Sequence, residues 1–381
     1  MQTREMRIIT AVLRKEIGRP WPLLLLECMM KRGALFRSTH WAKENTAESR
    51  YVSRLAPIAG LYRILSERVG RGEAFRIVSR MAVPIGVCEQ WDNLRSLGIE
   101  GKRGIERLRA FYDFMGEGGS GQFVTRELVA ESREHVQYEV QDCPFARFFK
   151  EVGMLELATL FCKVDRAFFP SAIPDYEFSR GDSWGNTSAY RKDHCVFSFT
   201  MKGNPPDERY IEETRLLDYT HPAIQMLYEE LDLPYRSDRE KISHFYEYVR
   251  REIRPLRHTG KRKPASMILR KHRGDDISKT ILFMALLRAS GIPCRARFAT
   301  TSEGIQSWAE VSLRDELVHT ARWTDDGDGA SADPVGWEKG DGNAWNESLI
   351  EDHGVFDSPD DFLKTRSNSA GERQSYIRER N

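Results

Sequence analysis

The sequence predicts an α+β protein in two parts: a helical stretch that leads into a small α+β unit, and then a second, separate α+β domain. Three observations point to this. From about residue 7 to 115, apolar residues recur at three- and four-residue spacing, as in Ile9, Val12 and Leu13 and again in Ile105, Leu108, Phe111 and Met115; this is the period of an amphipathic helix. Alternating runs begin only beyond a glycine-rich break, at 136–140 and 195–200, with the two-residue period of a strand. Further on, an apolar helical run over 277–289 passes through Gly291-Ile292-Pro293 into an alternating run at 295–298, a helix-to-strand transition with its own punctuation.

Length and composition set the frame for these elements. With 381 residues, 40% of them hydrophobic, a prior of roughly 150 residues per domain gives two or three domains with real cores. Lys+Arg 58 against Asp+Glu 57 leaves a net charge of +1. No global field then steers the chain to nucleic acid or an anionic membrane. Cys28, Cys88, Cys143, Cys162, Cys195 and Cys294 are scattered without a C-x-x-C pair, which reads as reduced thiols in a cytoplasmic protein. The apolar run at 22–30 contains Glu27 and stops at Lys31-Arg32. A membrane span needs about 20 apolar residues, so this run reads as a buried helix.

Along the chain, helices occupy the region up to 115. The segment 116–121 then places four glycines in six residues, a joint where regular structure is entropically costly. A strand at 136–140, helices at 144–153 and 155–168, and strands at 176–178 and 195–200 complete a first domain over 1–202, helical over 1–115 and α+β over 122–202. Pro205-Pro206 marks a linker over 203–218, because consecutive prolines disfavour helix. Ser237 and Glu240 form the S-x-x-E pattern of a capping box, and Ile242, Phe245, Val249 and Ile253 make one face of the helix that follows. The second domain is expected over 219–340. A tail over 341–381, rich in polar residues, is expected to be largely disordered.

The segment from His272 to Phe298, with Leu286-Leu287-Arg288 before Gly291-Ile292-Pro293, resembles the core of the transglutaminase-like (papain-like) fold over about 219–337. In that family a cysteine nucleophile opens the helix, and the matching position here is Asp276. The family's histidine-bearing strand matches Gln306-Ser307-Trp308-Ala309-Glu310-Val311, so Gln306 stands at the place of the base; the family's aspartate matches Asp333 before Pro334. Such chemistry needs a thiolate, an imidazole and an orienting carboxylate. Only the aspartate is present, so the resemblance implies a domain without triad catalysis, in which Asp276, Gln306 and Asp333 could still face a retained cleft and bind a ligand. Asp275 and Asp276 also read as ordinary caps of a helix N-terminus. Cys294, beyond Pro293 in apolar surroundings, reads as a core thiol.

A second resemblance covers about 136–201. Asp142-Cys143-Pro144-Phe145-Ala146, the run through Cys162 and Asp165, Arg180-Gly181-Asp182, and His194-Cys195-Val196-Phe197 resemble the L-2-amino-thiazoline-4-carboxylic acid hydrolases. Residues 183–193 form a longer polar insertion than that pattern carries. The resemblance implies Cys143, Cys162 and Asp165 as catalytic candidates and Asp182 as a substrate-binding candidate. The residues themselves permit part of this. Cys162 and Asp165 share a helix face, and Cys143 at a helix first turn could have a lowered pKa. Cys195 shares its strand side with Phe197 and Phe199, which points it into a core. Cys143, Cys162, Asp165 and Cys195 could in principle hold zinc, but structural sites show C-x2-4-C pairs, and phosphate-binding loops are missing; no cofactor or metal is expected.

These readings lead to an expected enzyme that opens a small cysteine-derived or amidine- or amide-containing metabolite, with the second domain non-catalytic and shaping or covering the site. A non-hydrolytic biosynthetic enzyme and a binding or scaffold protein are the alternatives. A small molecule is the expected partner, and the second domain or the tail could carry a protein partner. Convergence of Cys143, Cys162 and Asp165 on one pocket favours the enzyme, and their dispersal in the core favours the scaffold.

Overall fold

The computed structural model of the protein describes residues 3–44, 46–99, 101–117, 123–231, 236–256, 262–301, 304–313, 316–319, 323 and 349–365. The chain forms two compact units, residues 1–205 with 229–234 and residues 206–228 with 235–381.

The first unit begins with six helices: α1 Arg4–Ile17, α2 Trp21–Arg37, α3 Ala47–Val52, α4 Ala56–Val69, α5 Arg71–Ser96 and α6 Gly104–Glu117. Their starts follow from capping chemistry. Thr3 accepts from the Met6 amide at 3.3 Å, and Thr46 and Ser49 cap each other reciprocally. The apolar run at 22–30 is indeed helical, but it is not a buried helix: Leu24 and Cys28 face inward while Leu23, Leu26, Met29 and Met30 are exposed. One face alone finds a partner. No helix among the described residues is long and apolar enough to cross a membrane.

A four-stranded antiparallel sheet follows, in the order β1-β2-β4-β3. Its strands are β1 Thr125–Glu131, β2 His135–Asp142, β3 Tyr176–Ser179 and β4 Cys195–Met201, with α7 Pro144–Glu151 and α8 Thr159–Ala172 between β2 and β3. β1 escapes the sequence reading because it is a mostly exposed edge strand with little apolar alternation. The helix expected from 155 starts as a 3-10 turn at Leu155–Ala158 and runs past 168 to Ala172. An aromatic cluster seats α6 and α8 on the sheet: Phe169 stands 4.6 Å from Phe178 and 5.0 Å from Phe199, and Phe111 lies 5.4 Å from Phe168.

In the second unit, residues 222–228 of α9 Pro222–Glu230 and the whole of α10 Asp238–Glu252 precede the two-residue parallel pair β5 Arg254–Pro255 and β6 Arg273–Gly274, with α11 Ala265–Lys271 between them. The expected capping box opens α10: the Ser237 amide donates to Glu240 at 2.8 Å and the Glu240 amide to Ser237 at 3.3 Å. α12 Asp276–Ala289 is buried at every residue from Ile277 to Ala289, the signature of a helix enclosed on all sides. It packs on β7 Cys294–Thr301 and β8 Gly304–Leu313 within a sheet ordered β10-β7-β8-β9, where β9 is Glu316–His319 and β10 is Leu349–Phe356.

Two expectations change here. Residues 203–218, read as a linker, bury Ile211, Leu216 and Leu217. The tail, read as largely disordered from 341, supplies β10 and a helical turn at 359–365. Phe362 stacks on Phe298 at 3.9 Å, a contact between segments too far apart in sequence for local composition to reveal. Residues 366–381 lie outside the described residues.

A close contact between two helices of the first unit yields a stability test. A Cβ at Gly86 of α5 would lie 2.6 Å from Cγ2 of Val164 on α8, and a β-branched side chain has little freedom to move aside. Gly86→Ala should destabilise the unit by about 1–3 kcal/mol in urea unfolding, and Val164→Ala should restore most of the loss in the double variant.

Candidate active site

A cavity of about 150 Å³ lies within the first unit, lined by residues of α5, α6, α7, α8, β1, β2, β4 and the 187–189 loop. Most of the lining is aromatic or aliphatic, including Phe111, Phe161 and Phe168; Cys143, Cys162, Asp165 and Cys195 all reach it.

Each arrives by local rules. β2 ends at Asp142, and Cys143 is the extended residue before Pro144 opens α7, the position where proline's fixed φ suits a helix. Burial pushes the Cys143 thiol up to about 12, against the opposing backbone amides of Ala146 and Phe145. The helix start was expected to lower this pKa; desolvation outweighs it. On α8, the Cys162 thiol lies 3.8 Å from the Thr187 hydroxyl. Burial raises its pKa too, with Arg180 opposing and Asp165 adding to the rise.

Asp165, one turn beyond Cys162, accepts from Nη2 of Arg180 at 2.5 Å. Burial pushes its carboxyl up to about 6 even though the Arg180 guanidinium pulls the other way. Arg180 is 2% exposed. Its Nη1 donates to the Val196 carbonyl at 3.1 Å, its guanidinium lies 3.9 Å from the Phe197 ring centre, and its Nε has no partner. Tyr112 on α6 is similarly buried, and its hydroxyl has no partner. The hydroxyl's pKa is raised well above its ordinary value by burial first and by Asp165 second, so it stays neutral.

The polar insertion is part of the wall. Gly181 takes φ +75°, which suits glycine, and the loop turns back so that Asn186 donates to the Arg180 carbonyl at 3.1 Å and to Asp182 at 2.6 Å. Thr187, Ser188 and Ala189 then face the cavity. Cys195 accepts from the Ser188 amide at 3.1 Å and lies 3.4 Å from its hydroxyl. It was expected in the core; it sits at the cavity wall because β4's inward side forms that wall.

Residues 50–199 match the family model of L-2-amino-thiazoline-4-carboxylic acid hydrolase, and residues 225–354 match that of the transglutaminase-like superfamily. The chain joins a domain of this hydrolase family to a transglutaminase-like domain. No curated protein matches the sequence. The hydrolase-family match begins well before the motifs quoted above, so α4, α5 and α6, and with them Tyr112, belong to that domain.

Cys143, Cys162 and Asp165 therefore meet at one cavity of the hydrolase-family domain. Asp182 is exposed, holds Asn186, and is not among the lining residues. Arg180, Tyr112 and Arg126 also line the cavity, and sequence reasoning assigned none of them. Arg180 stood beside the quoted glycine, whereas Tyr112 and Arg126 carry no local signal. No group of three or more His, Cys, Asp or Glu side chains among the described residues is placed to hold a metal ion.

In the transglutaminase-like domain, Asp275 is the cap: it accepts from the Ser278 amide at 3.0 Å and pairs with Arg262. Burial would raise its pKa, but Ser278 and Arg262 together hold it below the usual carboxylate value. Asp276 is the first helical residue of α12 and half-buried. It lies one turn before Thr280, whose hydroxyl donates to the Ser307 carbonyl at 3.0 Å, next to Gln306 on β8. Asp333 lies outside the described residues.

The ion pair in the hydrolase-family domain yields a direct test. Asp165→Asn leaves a buried guanidinium without its counter-charge and should cost about 3–5 kcal/mol in denaturant unfolding, whereas Asp165→Leu with Arg180→Met should recover much of that loss.

Proposed function

We propose that the first domain hydrolyses a small cysteine-derived metabolite with an amidine or amide carbon, opening a thiazoline-type ring, and that the transglutaminase-like domain breaks no bond. The observation that supports this most is the convergence of Cys143, Cys162 and Asp165 on one apolar cavity, with a carboxylate whose pKa is about 6. At about 150 Å³ the cavity is below the roughly 300–1,000 Å³ of drug-sized sites, which suits a metabolite of few heavy atoms.

In this reading the Cys162 sulfur attacks the amidine carbon as its proton passes to ionised Asp165. The ring bond from that carbon to sulfur or nitrogen breaks, and the departing atom takes the proton from Asp165. Water then attacks the carbon held on Cys162 and releases the thiol. Cys162 is favoured over Cys143 because it lies one helical turn from the base and its thiolate gains from Arg180. Cys143, pushed up to about 12, remains a neutral thiol.

Incubation of the full chain with 2-aminothiazoline-4-carboxylate, followed by mass spectrometry, should show ring opening. Cys162→Ser should lower turnover per folded molecule by at least about 100-fold. The rate should rise with pH through about 6, because the base works only when Asp165 has lost its proton. Wild-type turnover in both Cys162→Ser and Cys143→Ser would sink the thiol mechanism.

The transglutaminase-like domain carries Asp276 and Gln306 where the chemistry needs a thiol and an imidazole. Thiol-directed electrophiles should leave its cleft unlabelled. Asp276→Cys with Gln306→His should introduce weak esterase activity that a thiol reagent abolishes; acyl transfer by the unmodified chain that depends on Asp276 would contradict this.

A further inference from the structure

The charged side chains that line the cavity are Arg126, Asp165 and Arg180. One carboxylate against two guanidiniums leaves the cavity with one net positive charge, in surroundings that are otherwise aromatic, aliphatic or neutral polar. Asp165 is engaged by Arg180. Arg126 has no ion pair among the described residues; Asp142, paired with the neighbouring Thr125 across the β1–β2 ladder, binds Arg147 at 3.0 Å, and Glu139 on β2 accepts from Gln137 and Gln141. A half-buried guanidinium without a carboxylate, at the wall of a cavity lined mostly by apolar side chains, is a ready partner for an anion.

Its placement is specific. Arg126 faces Val140, another cavity residue, across the ladder. Its guanidinium lies 5.7 Å from the ring centre of Tyr112, the residue whose buried hydroxyl has no partner. It also lies across the end of α6 at Gly116, where a Cβ would sit 2.0 Å from Arg126 Nη2. The missing side chain at Gly116 is what lets the arginine lie there.

We propose that Arg126 is the specificity-determining anchor for a carboxylate on the ligand of this cavity, and that Gly116 sets the anchor's position. The inference rests on the cavity being the ligand site, as in the hydrolase reading, but not on hydrolysis. Arg126 acts on binding: the carboxylate accepts from its guanidinium, which holds the reacting end of the ligand toward Cys162 and Asp165.

Gly116→Ala tests the geometry without touching the cavity lining. Gly116 does not adopt a positive φ, so alanine suits the helix backbone, and the nearest obstacle is the far end of the flexible Arg126 side chain, which would be displaced. The probes are thiazole-4-carboxylate and thiazole-4-carboxamide, which differ in charge and lack the 2-amino group that hydrolysis requires. By calorimetry the wild-type chain should bind the carboxylate at least about tenfold more tightly than the carboxamide. Arg126→Met should bring the two within about twofold of each other, and Gly116→Ala should reduce the preference with no fall in thermal midpoint. No saturable binding of the carboxylate by the wild type, equal binding of both probes, or a preference that survives Arg126→Met would overturn the anchor. Turnover of 2-aminothiazoline-4-carboxylate is measured separately: carboxylate-selective binding without turnover contradicts hydrolysis and leaves the anchor standing, whereas turnover with the preference intact in Arg126→Met contradicts the anchor alone.

Discussion

The buried pair of Asp165 and Arg180 is the constraint on which the candidate site depends. Removing two charges from water costs several kcal/mol per ion, and only close geometry with further hydrogen bonds offsets it. Arg180 meets this with the Asp165 carboxylate, the Val196 carbonyl and the face of Phe197. Those contacts tie α8 to β4. The Arg180 carbonyl in turn holds Asn186, and so the loop that presents Thr187 and Ser188 to the thiols of Cys162 and Cys195. One ion pair thereby sets the positions of a carboxylate and two thiols.

A second buried arginine shows what is particular about this one. Arg288 in the transglutaminase-like domain is fully buried, yet its two terminal nitrogens donate only to backbone carbonyls: Glu212 at 2.6 Å, Cys294 at 2.9 Å and Asp357. It joins the end of α12 to three other segments, as a structural arginine does, without any carboxylate. Arg180 could have been stabilised in the same way. Its carboxylate partner instead stands at a cavity wall, with a pKa of about 6 and a thiol one turn away, in a place where it can exchange protons with a ligand. In the transglutaminase-like domain, by contrast, the central helix is buried at every residue from Ile277 to Ala289 and packs on β7 and β8.

Sequence legibility followed the range of the interactions. Helices with local signals, such as α10 behind its Ser237–Glu240 capping box, could be read directly, and so could α12 with the β7 strand after Pro293. The edge strand β1 could not, because Glu127 and Glu131 on it face solvent and there is little alternation to detect. β10 was hidden because Phe298, which Phe356 and Phe362 cover, is some sixty residues upstream. In the site, Cys143, Cys162 and Asp165 were legible through the resemblance to the hydrolase family, with only the shared helix face of Cys162 and Asp165 readable from spacing. Arg180, Tyr112 and Arg126 were not, since their places come from tertiary contacts: Arg180 meets Asp165, and Tyr112 and Arg126 line the cavity, only after the sheet and helices have assembled. The direction of the Cys143 shift was likewise invisible, because a helix start can be read from sequence and the extent of burial cannot.

The measurement that bears most directly on the central claim is rapid acid quenching of the full chain during turnover of 2-aminothiazoline-4-carboxylate, followed by peptide mass spectrometry. The account predicts a substrate-derived mass on the peptide that contains Cys162, present during turnover and gone once substrate is exhausted. Turnover with no adduct on any cysteine, or an adduct confined to Cys143 or Cys195, would contradict it.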